Sequence, residues 1–360
     1  TTPADGAATA IINPADRSDV VGRIAFLSLA EADAAVARAA EAFPAWRDTT
    51  PADRAACLFR AADALEQDMP RLMGVIVREA GKSLGNAVAE IREAVDFLRY
   101  YGALVRDGFD NALHVPLGPV VCISPWNFPL AIFLGQVSAA LAAGNTVLAK
   151  PAEETPLIAR EAVRALHAAG VPEDVVQFVV GAGDVGARLV AHVDVRGVLF
   201  TGSTEVARLI QRTLSARLNP DGAPVPLIAE TGGQNALIVD SSALAEQVVV
   251  DVLSSAFDSA GQRCSALRLL CVQEDCADRV LTMLRGAMDE LVTGHPDALH
   301  TDIGPVISED AQKGIVAHID AMRERGFAVH QAPVKDECAS GTFVPPTLIE
   351  IDSVSALRRE

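Results

Sequence analysis

Cys264 lies in the stretch SAGQRCSAL, residues 259 to 267, between Arg263 and Ser265, in a chain with six cysteines. A free thiol titrates near about 8.5, so only a few per cent is thiolate at neutral pH and attack on an electrophile needs a helping environment. The adjacent Arg263, a helix preceding the stretch and a bend permitted by Gly261 all suit a reactive thiol. The alternative is a small buried hydrophobe, a common fate of cysteine, and the residue types alone leave both readings open. Glu230 ends the apolar run PLIAE and is followed by Gly232 and Gly233. It is a candidate general base whose carboxyl is raised by burial, or else a carboxylate paired with a cation.

Two further segments have the same design. CISPWNFP, residues 122 to 129, and LAKPAEETP, residues 148 to 156, each run from an apolar stretch through proline into a helix start. Ligands in open α/β sheets bind just beyond the carboxyl ends of strands, which singles out Asn127 and Lys150. Asn127 could instead cap the helix starting near residue 130, and Lys150 could be a solvated strand end. GAGDVG, residues 181 to 186, fits G-x-G-x-x-G, but no acidic residue plainly ends a second strand about 20 residues on, and a tight turn explains it as well. FTGSTEVA, residues 200 to 207, also leads from a strand into a helix, where Gly202 and Ser203 could offer donors to a phosphate.

The elements that must hold these residues are legible in outline. SLAEADAAVARAAEAF opens with Ser28 and Glu31 as a capping box, and residues 51 to 69 and 83 to 106 carry apolar side chains at helical spacing. From residue 120 short β-rich runs (VVCIS, TVLAK, VVQFVV, GVLFT, PLIAE) alternate with helical stretches such as 156 to 169 and 204 to 216, which predicts βαβ units and a parallel sheet. A second series follows residue 230: strand-like NALIVD, a helix near 243 to 259, strand-like LRLLCV and a helix near 276 to 291. Two domains are expected in 360 residues, one over 1 to 229 and one over 230 to 360.

Composition narrows the function. With 47 acidic and 30 basic residues the formal charge is −17, which argues against nucleic-acid or anionic-membrane partners. Residues 111 to 149 carry no Asp, Glu, Lys or Arg, yet prolines at 116, 119, 125 and 129 and the pair Gly144-Asn145 break the run into pieces too short to span a bilayer. The cysteines form no C-x-x-C and meet no histidine at zinc spacing, so no metal is expected, and reduced thiols fit a cytoplasmic protein, although Cys271 and Cys276 could pair. No signal peptide is read at the N-terminus. A cysteine hydrolase or acyltransferase would need a histidine near Cys264, and none of the seven lies in that segment.

Together SPWNFP, LAKPAEETP, FTGSTEVA, ETGG and GQRCSA resemble the aldehyde dehydrogenase superfamily in order and spacing, and the resemblance covers essentially the whole chain. More narrowly, residues 226 to 268 look like the L-glutamate γ-semialdehyde (pyrroline-5-carboxylate) dehydrogenase half of bifunctional bacterial proline utilization A. The resemblance implies an α/β fold with a Rossmann-type, parallel-sheet NAD-binding domain and an α/β catalytic domain. It implies that Cys264 is the nucleophile, that Asn127 and the Cys264 backbone N–H hold the oxyanion, and that Glu230 activates water.

It further implies that Ser124, Pro125, Trp126, Lys150, Glu153, Gly202 and Ser203 serve NAD, with Glu153 on a ribose hydroxyl, where a carboxylate would repel the 2′-phosphate of NADP. Arg263 and Ser265 would hold the substrate's carboxylate, and Glu93 its ammonium unless it is simply a solvated helix residue. The last residue, Glu360, matches the glutamate that meets the nicotinamide ribose, and the catalytic domain is expected to continue past it. The implied partners are a proline dehydrogenase domain or protein supplying the aldehyde, and other copies in a homo-oligomer. An aldehyde dehydrogenase of other specificity and an inactive nucleotide-binding fragment are the alternatives.

Overall fold

The computed structural model describes residues 8 to 357. The chain begins with a two-stranded ribbon, β1 (Thr9–Asn13) and β2 (Asp16–Ile24), followed by four helices, α1 (Leu29–Asp48), α2 (Pro51–Gln67), α3 (Met69–Ala80) and α4 (Leu84–Gly108). The capping box at the start of α1 forms as its residues predict: the Glu31 N–H donates to Ser28 Oγ at 3.3 Å, and the Ser28 N–H donates to Glu31 Oε2 at 2.8 Å. The ribbon was not legible, because β2, DRSDVVGRI, is interrupted by four charged residues and a glycine.

Alternation then sets in: β3 (Pro119–Ile123), α5 (Ala131–Ala142), β4 (Thr146–Lys150), α6 (Pro156–Ala168), β5 (Val176–Phe178), α7 (Gly183–Ala191), β6 (Gly197–Gly202), α8 (Thr204–Ser215) and β7 (Leu227–Thr231). The five strands make one parallel sheet in the order β5-β4-β3-β6-β7. Parallel strands buried on both faces read as continuous apolar runs, and β4 is buried at every position. Val121, Leu148, Val179, Val198 and Phe200 form a core with apolar residues of α1, α7 and α8. Each such side chain contributes about 1.5–3 kcal/mol on burial. The charge-free run is accounted for by β3, β4 and the buried helix α5, and among the described residues no helix is long and apolar enough to cross a membrane.

Beyond residue 231 come β8 (Asn235–Val239), α9 (Ala245–Phe257), β9 (Leu267–Val272), α10 (Glu274–Asp289), α11 (Glu309–Glu324), β10 (Ala328–Gln331) and β11 (Thr347–Glu350). β8 and β9 pair in parallel, and β10 and β11 antiparallel. Contacts divide the chain into two units. One comprises residues 8 to 11, Val20–Ala80 and Ala87–Thr231; the other comprises Ile12–Asp19, Gly81–Asn86 and the chain from Gly232. In the second unit, α9 and α10 cover the β8–β9 pair through Val248, Val252, Leu284 and Met288. Cys271 and Cys276 are not bonded to each other: all six cysteines are free thiols.

Candidate active site

In the first unit the strand ends are level. Ile123 of β3 lies in register with Lys150 of β4 and Phe200 of β6, and Thr201 of β6 with Glu230 of β7. The Ser124 N–H extends the ladder by donating to the Lys150 carbonyl at 3.1 Å. Chain order reverses between β3 and β6, the place where open α/β sheets bind ligands. Ser124, Lys150, Gly202 and Glu230 therefore share one edge of the sheet, and Pro125, Trp126 and Asn127 follow directly, half-buried. Asn127 does not cap α5: the cap position is Leu130, and no side chain of that residue serves it. Glu230 is exposed rather than buried, because β7 forms the sheet's outer strand.

Lys150 is buried, not solvated, with a relative exposure of 4%. Its Nζ donates to the Pro151 carbonyl at 3.2 Å and lies 3.7 Å from the exposed Glu153 carboxylate. Burial pushes the ammonium below its ordinary value, while Glu153 and Glu154 pull it back up. Ser203 is the N-cap of α8, its Oγ accepting from the Val206 N–H at 3.2 Å, so the hydroxyl proton is still available to donate. A Cβ on Gly202 would sit 2.6 Å from the Phe200 ring, which explains that glycine by packing. Packing likewise explains the GAGDVG turn, since a Cβ on Gly181 would meet Val185 at 2.5 Å.

Ser124 Oγ is buried with no hydrogen-bond partner, an unusual cost for a native hydroxyl. That orphan donor, a buried ammonium, the N-terminus of a twelve-residue helix and an exposed carboxylate fit the pyrophosphate and ribose of a dinucleotide.

The cysteine segment belongs to the second unit. After α9 the chain makes one tight turn, Asp258–Gly261, in which Ser259 (φ 56°), Ala260 (φ 54°) and Gly261 (φ 69°) are all left-handed. Such conformations cost side-chain-bearing residues about 1–3 kcal/mol each and cluster at functional sites. The turn leads to Cys264 and Ser265, both exposed, with Arg263 half-buried. Asn235 Nδ2 holds the loop open by donating to the carbonyls of Cys264 at 2.8 Å and Ala266 at 3.0 Å. The Arg263 guanidinium is turned onto the end of α9: it donates to the carbonyls of Ser254 (2.6 Å) and Ser255 (3.1 Å) and lies 3.3 Å from the Asp258 carboxylate. Asn235 was not singled out in the sequence, where it reads only as the start of the strand-like run NALIVD. Glu93 is on the exposed face of α4, and Glu360 lies outside the described residues.

The profile of the aldehyde dehydrogenase family matches residues 1 to 360. The chain belongs to the aldehyde dehydrogenase family. It is 60% identical over 363 residues to the bifunctional protein PutA of Klebsiella aerogenes, covering 99% of this chain and 28% of that protein's length. It is 37% identical over 353 residues to 1-pyrroline-5-carboxylate dehydrogenase of Bacillus cereus (strain ATCC 10987 / NRS 248), covering 94% of this chain and 68% of the relative. Among solved structures, PnpE in complex with nicotinamide adenine dinucleotide superposes with a TM-score of 0.88 at 31% identity, over 96% of this chain and 73% of that one. The expected mixed α/β, aldehyde dehydrogenase-like fold with a parallel sheet is thus the observed one, and the family implied by the motifs is the family found.

Proposed function

We propose that this chain carries the site for NAD-dependent oxidation of L-glutamate γ-semialdehyde, formed from pyrroline-5-carboxylate, to L-glutamate, the second step of proline breakdown. In this reading residues 1 to 229 serve the dinucleotide and 230 to 360 the nucleophile. The Cys264 thiolate attacks the aldehyde carbon, and the carbonyl oxygen becomes an oxyanion that accepts hydrogen bonds from the Asn127 amide and the Cys264 N–H. NAD, when bound, would supply the two-electron acceptor for the hydrogen on the aldehyde carbon, and Cys264 would then carry a thioester.

Glu230 then takes a proton from water, the resulting hydroxide adds to the thioester carbon, and the Cys264 thiolate departs as the acid forms. Ser265 and the charge of Arg263 favour the substrate carboxylate, and Glu93 its ammonium. Lys150 and Glu153 hold the adenosine ribose and Ser203 the pyrophosphate, with Ser124, Pro125 and Trp126 beside them. Glu360 is assigned to the nicotinamide ribose.

The observation that carries the reading is the set formed by Ser124–Asn127, Lys150 and Ser203 at the carboxyl ends of β3, β4 and β6, in a family chain whose exposed cysteine is Cys264. The names of the relatives support the substrate, and the dinucleotide complex of the structural neighbour supports the cofactor. The test is NADH formation by the full-length protein, with pyrroline-5-carboxylate compared with uncharged aliphatic aldehydes. A kcat/KM no better for pyrroline-5-carboxylate than for the aliphatic aldehydes would refute the substrate, and absence of NADH with every aldehyde would refute the reaction.

A further inference from the structure

α5 and α6 begin directly behind the two loops that carry Asn127 and Glu153, and neither supplies its own side-chain cap. The first turn of α6 starts with Pro156, which has no N–H, and the hydroxyl of its N-cap residue Thr155 is buried without a partner. The two donors that remain at this turn are served from α3. The Leu157 N–H donates to Glu79 Oε1 at 2.6 Å and the Ile158 N–H to Glu79 Oε2 at 2.9 Å. At α5 the N–H groups of Leu130 and Ala131 both donate to Glu90 Oε2, at 3.1 Å each, from α4. Both glutamates are 1% exposed. Buried acidic side chains are rare, and both of these accept from backbone groups 78 and 40 residues away, at two equivalent places in the fold.

We infer that Glu79 and Glu90 are positioning residues, Glu79 setting the Lys150–Thr155 loop that presents Glu153 and Glu90 setting the Ser124–Pro129 loop that presents Asn127. The inference rests on the aldehyde-oxidation reading above. A helix start fixed by two hydrogen bonds to a buried side chain fixes the backbone entering it, and a displacement of about 1 Å at a reacting group costs up to about 100-fold in rate. The two glutamates therefore act on different constants. The bonding also differs: the two α6 N–H groups reach both oxygens of Glu79, so Gln replaces one acceptor with an NH₂ that faces an N–H, whereas the two α5 N–H groups share one oxygen of Glu90.

The test is steady-state kinetics of the full-length protein, with Ile76→Val on α3 as a control that loosens the same helix without touching a cap. For Glu79→Gln the KM for NAD rises about five- to tenfold while kcat at saturating NAD stays within about twofold. For Glu90→Ala kcat falls about tenfold while the KM for NAD stays within about twofold. If Glu79→Gln or Glu90→Ala does not fold, Glu79→Asp and Glu90→Asp, one methylene shorter, carry the same split. Variants that behave like Ile76→Val, losing folded protein but keeping both constants, overturn the inference, as do parallel losses in both constants. Glu153→Ala and Asn127→Ala separate the two levels. If they leave the KM for NAD and kcat untouched, the aldehyde-oxidation reading falls and this inference with it. If they act as assigned and the glutamate variants do not, the positioning role alone is lost.

Discussion

At the scale of single residues, the chemistry assigned to Cys264 and Glu230 separates into two half-reactions that substitution can uncouple. Glu230→Gln keeps the size of the side chain and removes its capacity to take a proton, so acylation proceeds and hydrolysis does not. Rapid-mixing absorbance should show about one equivalent of NADH per site, then turnover slowed by at least about 100-fold, in line with the loss of a general base. Steady turnover at the parental rate would exclude the role.

Ser265 is exposed next to Cys264, the proposed nucleophile, and has one hydroxyl to offer a carboxylate. A hydrogen bond to a charged group contributes about 1.5–3 kcal/mol, so Ser265→Ala should lower kcat/KM for glutamate semialdehyde by roughly 10- to 100-fold and spare an uncharged aldehyde. Equal losses on both substrates would remove Ser265 from recognition. Arg263 shows how far residue type carries: its charge next to Cys264 was evident, but its Nη2 donates to the end of α9, and only the tertiary structure reveals that.

At the scale of elements, the helices and strands flanking the site follow from local rules. TVLAK and LRLLCV form strands over their whole predicted length, because both are short, mostly apolar runs. The turn before Cys264 does not follow from such rules. Gly261 was read as permitting a bend, but two non-glycine residues ahead of it are also left-handed, a conformation local propensity disfavours and the surrounding fold imposes. A Cβ on Gly261 would lie 2.7 Å from the Ala256 carbonyl oxygen. Gly261→Ala should therefore destabilise the protein by about 1–3 kcal/mol in urea denaturation and slow the reaction of Cys264 with a thiol reagent. A variant as stable and as reactive as the parent would show that the turn relaxes freely. The caps of α5 and α6 were illegible for another reason: their acceptors lie on helices far away in sequence, and no local pattern encodes such a pairing.

At the scale of the whole molecule, pH acts on folding through the same buried carboxylate that caps α6. Burial pushes the Glu79 carboxyl up to about 8, against the Ile158 and Leu157 N–H groups and Arg160, which favour the anion. The group's ordinary value is 4.5, so between 4.5 and about 8 the folded state holds a proton that the unfolded state has released. Stability from this group is full below 4.5 and is lost as pH rises through about 8. Urea midpoints between pH 5 and 8.5 should fall with rising pH, and Glu79→Gln should flatten that slope; an unchanged slope would remove Glu79 as its source. Carboxylates such as Asp33, held low by Arg188, act in the opposite sense at the acid end, where their contribution is lost as pH falls below 3.8.

By itself the sequence determined the alternation of strands and helices and the family, because hydrophobic period, turn residues and short motifs are local properties of the chain. Only the tertiary structure decided that Lys150 is buried, that Arg263 turns away onto a helix end, that Asn235 holds the cysteine loop, and that Glu79 and Glu90 close helices far from them in sequence. Those facts depend on which backbone donors and acceptors meet once the chain has collapsed, and burial makes each unmatched group expensive enough to select one arrangement.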